Sequence, residues 1–562
     1  MTLVKSAVQL PAGNVTARGL SAALRQVVQE QSAVGSPQTV RVAIVVGRWQ
    51  GERQFRRADV GRNGWRLVEQ VVDRAMTNAA KAEHYPDSFQ IEIGWQPVRM
   101  TVEEFKGVPR SQIGRKGLAV FQGTQLLGIT GAGEMIAAKR NFERALEKLL
   151  QSLKLPPDSL ETGAVEPGLF TSLQMLLRLD GGPRLELLWR GNRIIEPAAV
   201  DADGIRDLAD RMILWMHKQV DDGGRIIYKY WPSTGSESSG DNSIRQAMAT
   251  VCLNRIALRS GNAADRDIAD RNLGHLLRKY YRRKDALGFI AEGEKAKLGA
   301  AALAALAIQE NPNRANYQEP LDSLARTVDF LWQETGEFIT FLRPEGRNDN
   351  QNFYPGEALL FWAIRLAETA GDPSRFLQSF AYYRDSHRTN RNPAFVPWHT
   401  QAYYTALPVV GTEAAAALKD FIFEMNDWLL EMQQWEGNLH PDLLGRFYNP
   451  RHPEYGPPHA SSTGVYLEGL IDAFDLARQV GDSDRAARYR LAILRGLRSL
   501  MQLQFRDETD MYYVSKRERV LGGIRTEVYD NTIRVDNVQH GLMGILKILS
   551  RMSPDELRLV RE

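Results

Sequence analysis

Two short stretches of this chain carry the same polar groups in the same order: Asp241-Asn242-Ser243-Ile244-Arg245 and Asp530-Asn531-Thr532-Ile533-Arg534. Each offers a carboxylate, an amide, a hydroxyl and a guanidinium within five residues, and each stands at the front of an apolar, helix-like stretch. Glu357 occupies a similar position at another apolar stretch, and Asp536 stands at the start of the stretch that the second copy precedes. Carboxyl groups in such places suit glycoside hydrolysis. One protonated acid and one ionised base must flank the bond, about 5–5.5 Å apart for retention and about 6.5–9.5 Å apart for inversion. On that chemistry Asp241 or Asp530 is the water-activating base and Glu357 or Asp536 the acid, with Arg245 and Arg534 binding substrate.

Histidine supplies a competing chemistry. Only nine occur, yet His399, His459 and His540 all fall near the starts of apolar helical stretches. Such histidines move protons beside a carbonyl or carboxylate carbon, as an epimerase or a lyase does. Tyr455 with Arg534, and Asn537 with His540, would then neutralise a uronate and take its neighbouring proton. Around these groups lie Tyr230, Trp231, Tyr354 and Trp398, interleaved with Asn242, Gln246 and Gln401. Aromatic faces against CH-rich sugar rings, with amides for the hydroxyls, make a carbohydrate-binding composition. The plainer reading is structural: Asp and Asn before Ser or Thr are ordinary helix caps, and Asp241 and Arg245 stand at i,i+4 spacing. A non-catalytic, glycan- or protein-binding ring is the corresponding third possibility.

Two regions would position these residues. Residues 1–197 alternate periods: strand patterns at 39–47, 89–101, 117–130 and 173–197, with helical patterns at 65–82 and 135–153, predict an α+β accessory domain. Residues 198–562 are helical and repeat. Amphipathic stretches at 204–220, 265–281, 319–334, 372–385, 412–433 and 484–504 alternate with uniformly apolar ones at 242–259, 294–309, 355–369, 398–408, 461–478 and 536–550. A one-sided stripe marks an outer helix and all-round apolarity a buried one, so the alternation predicts an (α/α)6 toroid. Its first and last hairpins would then be neighbours, and the two pentads would share one mouth.

The rhythm, with phrases such as "HASSTGVYLEGLIDAF" (459–474) and "YPGEALLFWAIRLAETAGD" (354–372), resembles the six-hairpin glycosidase-type superfamily over about residues 200–552. That superfamily includes glucoamylase-like hydrolases, unsaturated glucuronyl hydrolases, N-acylglucosamine 2-epimerases and polysaccharide lyases. The resemblance implies an oligo- or polysaccharide substrate and a catalytic toroid. In the N-terminal half, "IGRKGLAVFQGTQLLGITGAG" faintly resembles the AMME-syndrome-region family, without its Arg-Gly-Cys-Ile-Gly signature.

Composition excludes several classes. With 71 basic and 68 acidic residues there is no global field for nucleic acid. A single cysteine, Cys252, rules out internal disulfides and a cysteine zinc cage, and the spacing of the three histidines carries no metal signal. "GITGAG" lacks the register and Lys-Ser ending of a phosphate loop, so no cofactor is expected. No stretch approaches a membrane span, and no leader precedes the first polar residues, which predicts a cytoplasmic protein, or a periplasmic or secreted one if a leader was removed.

Overall fold

The computed structural model describes residues 7–10, 15–31, 34–437 and 440–560. The N-terminal region is built on a nine-stranded, wholly antiparallel sheet. The run expected near 39–47 forms strand Val42–Trp49, buried on both faces. Its period of two sends Ala43 and Val45 into one apolar core and Val42, Ile44 and Val46 into another. Strand Glu166–Arg178 joins two parts of the sheet: residues 172–178 pair with Ser88–Gly94, and residues 166–171 with Lys116–Gln122. Helix Trp65–Ala79 falls where expected, and the 135–153 pattern splits into Ala132–Ala137 and Phe142–Ser152. Strand Glu52–Val60 and helix Ala17–Glu30 went unanticipated. The former carries five charged side chains in nine residues, and only its pairing with Val42–Trp49 makes it a strand.

From residue 202 the chain is a ring of helical hairpins. The outer helices are Ala202–Gln219, Ala263–Tyr280, Gln318–Phe330, Ser374–Thr389, Thr412–Leu430 and Ser483–Leu503. The inner helices, numbered 1 to 6 below, are Ser243–Ser260, Leu298–Gln309, Tyr354–Thr369, Phe395–Ala406, Ala460–Gln479 and Val535–Arg551. Each inner helix packs on the next, and the sixth packs on the first, closing the ring. Every residue of inner helix 2 is buried, in accord with its uniform apolarity. No helix among the described residues is long and apolar enough to cross a membrane.

The two pentads take different secondary structures. In the first copy, Asn242 caps inner helix 1, its side chain accepting from the Arg245 N–H at 3.1 Å. The second copy is a β-strand, Asp530–Arg534, rather than a helix start. It pairs antiparallel with Lys229–Trp231 of the first hairpin, Lys229 opposite Arg534 and Tyr230 opposite Ile533. The edge offered by the first hairpin satisfies backbone groups that a helix would otherwise have used, so the helix begins only at Val535.

Inner helices 5 and 6 touch through glycine: a Cβ on Gly464 would lie 2.5 Å from the Gly541 nitrogen and 3.0 Å from the His540 carbonyl carbon. Backbone cannot yield as a side-chain tip does. Gly464→Ala is therefore expected to lower unfolding stability by about 1–3 kcal/mol in urea titrations. A loss under about 0.3 kcal/mol would show that this contact is slack.

Candidate active site

Both pentad arginines converge on one carboxylate. Asp536, 1% exposed, accepts from Arg534 Nε at 2.9 Å and from Arg534 Nη2, while Arg245 Nη2 lies 3.2 Å from its Oδ2. Burial by itself would raise this carboxyl. Arg245 and Arg534, with a smaller contribution from His459, instead hold it far below the ordinary range, so it is an anion at any physiological pH. His459 caps inner helix 5, its Nδ1 accepting from the Ser461 N–H at 3.2 Å. A backbone N–H only donates, so the neutral imidazole carries its proton on Nε2, which is buried without a partner. Burial, then the nearby Arg534, lowers its pKa to about 4. His459 is thus a neutral hydrogen-bond donor.

Glu357 is the opposite case. It sits in the first turn of inner helix 3, 5% exposed, with Oε2 buried and unpartnered. Burial raises its pKa to about 8, against the smaller pull of Arg245 and Lys297. It is protonated at neutral pH and keeps a proton to give. Two glycines let it lie there. A Cβ on Gly299 would come within 2.1 Å of Glu357 Oε2 and 2.4 Å of Tyr354, and one on Gly356 within 2.6 Å of the Trp398 Cβ. Tyr354 and Trp398, both nearly buried, flank the acid.

Trp398 meets His540 edge-on, with ring centroids 6.1 Å apart. His540, on inner helix 6, bonds through Nδ1 to Glu468 Oε1 of inner helix 5 at 2.7 Å, and both are buried. A carboxylate acceptor fixes the proton on Nδ1 and leaves Nε2 with a free lone pair. Glu468 thereby orients the His540 ring. Sequence reading passed over it, because a glutamate in the middle of an apolar helix carries no sign of its partner. The Tyr228 ring lies 5.6 Å from the Arg534 guanidinium.

Other candidates sit elsewhere or are spent on structure. The Asp241 oxygens accept from Gln246 at 2.6 Å and Lys279 at 2.7 Å and lie 3.4 Å from His275. Although burial works the other way, these bonds hold Asp241 well below the usual carboxylate range, and it ties the second outer helix to inner helix 1. Gln246 uses its amide on Ile226, Asp241 and Asn272. Asn242, besides capping, donates to Glu292 at 3.3 Å. Asp530 folds onto its own turn, accepting from the Thr532 N–H and hydroxyl, and lies 3.5 Å from Lys139 of the N-terminal region. Trp231 faces the same Lys139, and Tyr230 is core. His399 is stacked on Phe395 at 3.5 Å and bonded to Tyr403, and burial drives it neutral. Gln401 contacts Lys547 near the far end of the ring. Tyr455 stacks on His452, and Asn537 holds the Ile524 carbonyl and Thr526. No cluster of three or more potential metal ligands occurs among the described residues.

No family model and no curated protein matches the chain, so the likeness of residues 1–197 to the AMME-syndrome-region family finds no support there. Solved structures align over the larger part of it. The GH76A alpha-1,6-mannanase of Salegentibacter sp. HEL1_6 covers 61% of this chain and 98% of its own at 12% identity, with a TM-score of 0.44. A D-mannose isomerase covers 64% and 100% at 10% identity and 0.46. An unsaturated glucuronyl hydrolase specific for heparin covers 61% and 96% at 11% identity and 0.43.

Removing the Asp536 charge strands two guanidiniums at once. Asp536→Asn is expected to cost about 3–5 kcal/mol in chemical denaturation, the scale for breaking a buried ion pair from one side. Asp530→Asn, at a half-exposed turn, should cost under about 1 kcal/mol. Equal losses would contradict the central place given to Asp536.

Proposed function

We propose that the chain is a carbohydrate-active acid–base enzyme working at the mouth of the helical ring, and that it moves a proton on a sugar rather than cleaving a glycosidic bond. One arrangement supports this reading: Trp398 packs on the helix turn that carries Glu357, a carboxylic acid held neutral, and its ring also meets His540, an imidazole bonded to Glu468. His540 Nε2 would take the proton from a carbon beside a carbonyl while Glu357 protonates the carbonyl oxygen, giving an enol. Reversal at the neighbouring carbon, or from the other face, completes an isomerisation or epimerisation. Tyr354 and Trp398 would stack on the sugar, with Arg245, Arg534 and His459 Nε2 directed to its oxygens.

Hydrolysis is the second reading and keeps Glu357 as acid. Its base would have to be Asp536, because Asp241 and Asp530 are engaged elsewhere. A carboxylate held by two guanidiniums is a weak base, which disfavours that route. The division at about residue 197 is likewise a proposal, with residues 1–197 an accessory domain. Its support is an apolar core drawn only from residues 8–187.

Glu357→Gln and His540→Ala should each lower turnover by more than about a hundredfold, while His399→Phe leaves it measurable. Activity should fall above about pH 8, where Glu357 loses its proton. Stability follows the same group. Its folded pKa lies above the ordinary 4.5, so the stability it contributes is complete below 4.5 and is lost as pH rises through about 8. Glu357→Gln should therefore melt higher than the parent at pH 9 and not at pH 5. In D2O, aldoses or ketoses should acquire carbon-bound deuterium with no new reducing ends. Release of reducing ends from a glycan without deuterium uptake would instead establish hydrolysis.

A further inference from the structure

A cavity of about 960 Å³ lies away from the groups just described, between the N-terminal sheet and the loops of the ring. Arg48, Arg53 and Arg56 reach it from the first hairpin of the sheet, Arg140 and Lys148 from the helical segments after residue 131, and Ser233, Tyr513 and Ser515 from the ring. The two regions meet tightly at its edge: a Cβ on Gly51, whose φ is +82°, would fall 2.2 Å from the Val514 carbonyl oxygen. The cavity therefore exists only in the assembled chain.

Its charges do not balance. Glu134 is taken by Arg56, whose Nε and Nη2 donate to it at 2.7 and 3.0 Å. Asp59 is paired with Arg74, outside the cavity, at 2.7 Å. Of the acids in the wall only Glu52 then faces Arg48, Arg53, Arg140 and Lys148. Arg48 is the sharpest case. It is 8% exposed, yet its guanidinium donates only to neutral acceptors, the Gly51 carbonyl and the Gln90 amide oxygen, each at 3.1 Å. No carboxylate lies within ion-pair distance of it among the described residues, and its Nε is buried with no partner at all. Burial presses Arg48 toward losing its charge and outweighs the opposing pull of Tyr512, whose ring centroid is 5.6 Å from the guanidinium, and of Glu134, while the nearby Arg53 adds repulsion. A buried cation without a counter-ion is costly to keep and is tolerated where an anion completes the site.

We infer that this cavity binds the oxyanion group, phosphate or carboxylate, of a small hydroxylated ligand, with Arg48 and Arg53 as the charged contacts and Arg140 at the rim. The volume is that of a small-molecule site. Hydroxyls of Ser233, Thr234 and Ser515 along the wall would serve the ligand's own hydroxyls. The site is separate from the Glu357 and His540 chemistry and stands or falls independently of it.

The test uses the full chain at low ionic strength, titrated calorimetrically with inorganic phosphate, glucose 6-phosphate and glucuronate. At least one probe should bind at one site, more weakly as salt is raised; phosphate and its ester against glucuronate tell which oxyanion is preferred. Arg48→Gln should weaken binding at least about tenfold. Because a buried substitution can disturb folding, the surface pair Arg53→Gln with Arg140→Gln is measured alongside, with the same loss expected. No binding of any probe up to about 10 mM, or parental affinity in both variants, would overturn the inference.

Discussion

The ring depends on one buried carboxylate. Asp536 begins the last inner helix and is gripped by Arg534 from its own hairpin and by Arg245 from the first. Taking a carboxylate out of water is so unfavourable that the group persists only when its lone pairs are filled, and here the filling comes from both ends of the ring. The strand pairing of Lys229–Trp231 with Asp530–Arg534 lies against the same contact. Closure is thereby specified by charge and by backbone hydrogen bonding together, where apolar packing alone would leave the register of the last hairpin loose.

The same low-dielectric interior sorts the remaining ionisable groups. Two carboxyls buried to a similar degree end in opposite states: Asp536 has guanidiniums in contact and is an anion, whereas Glu357 has none and stays an acid. The two mouth histidines are sorted by their Nδ1 partners. A backbone donor makes His459 a donor at Nε2, and in a neutral His540 a carboxylate acceptor leaves Nε2 as the acceptor. The difference within each pair thus follows from what each polar atom touches, while residue type alone would not tell one carboxyl or one imidazole from the other.

The N-terminal region docks on the second pentad. Lys139 bonds to Thr532 and lies beside Asp530, and Asn531 donates to the Ile136 carbonyl at 3.0 Å and to Ser233 at 2.9 Å. A second buried pair, Arg190 with Asp442 at 2.7 Å, fixes the end of the sheet region to the fifth hairpin. Five residues that read as a helix cap therefore have three duties: sealing the ring, holding Asp536 and seating the sheet. Their repetition in sequence reflects two ends of one seam, each using the same polar groups differently.

The helical rhythm was legible because it is local. Stripes against all-round apolarity record which face of each helix meets water, and that record gave all twelve ring helices and the strand buried on both faces. The mouth was half legible. Glu357, Asp536, His459 and His540 stand at or near helix starts, where polar residues are conspicuous, whereas Glu468 lies within an apolar helix and is recognisable only through His540. The second pentad shows the limit most clearly. Its residues are nearly those of the first, yet one copy is a helix cap and the other a strand, because a free backbone edge waits beside only one of them. By itself the sequence determined where helices run and which faces they bury, since those depend on neighbours three or four residues away. Tertiary structure decided which carboxyl is charged, what each imidazole is bonded to and what each pentad does, because burial and counter-charges come from residues hundreds of positions apart.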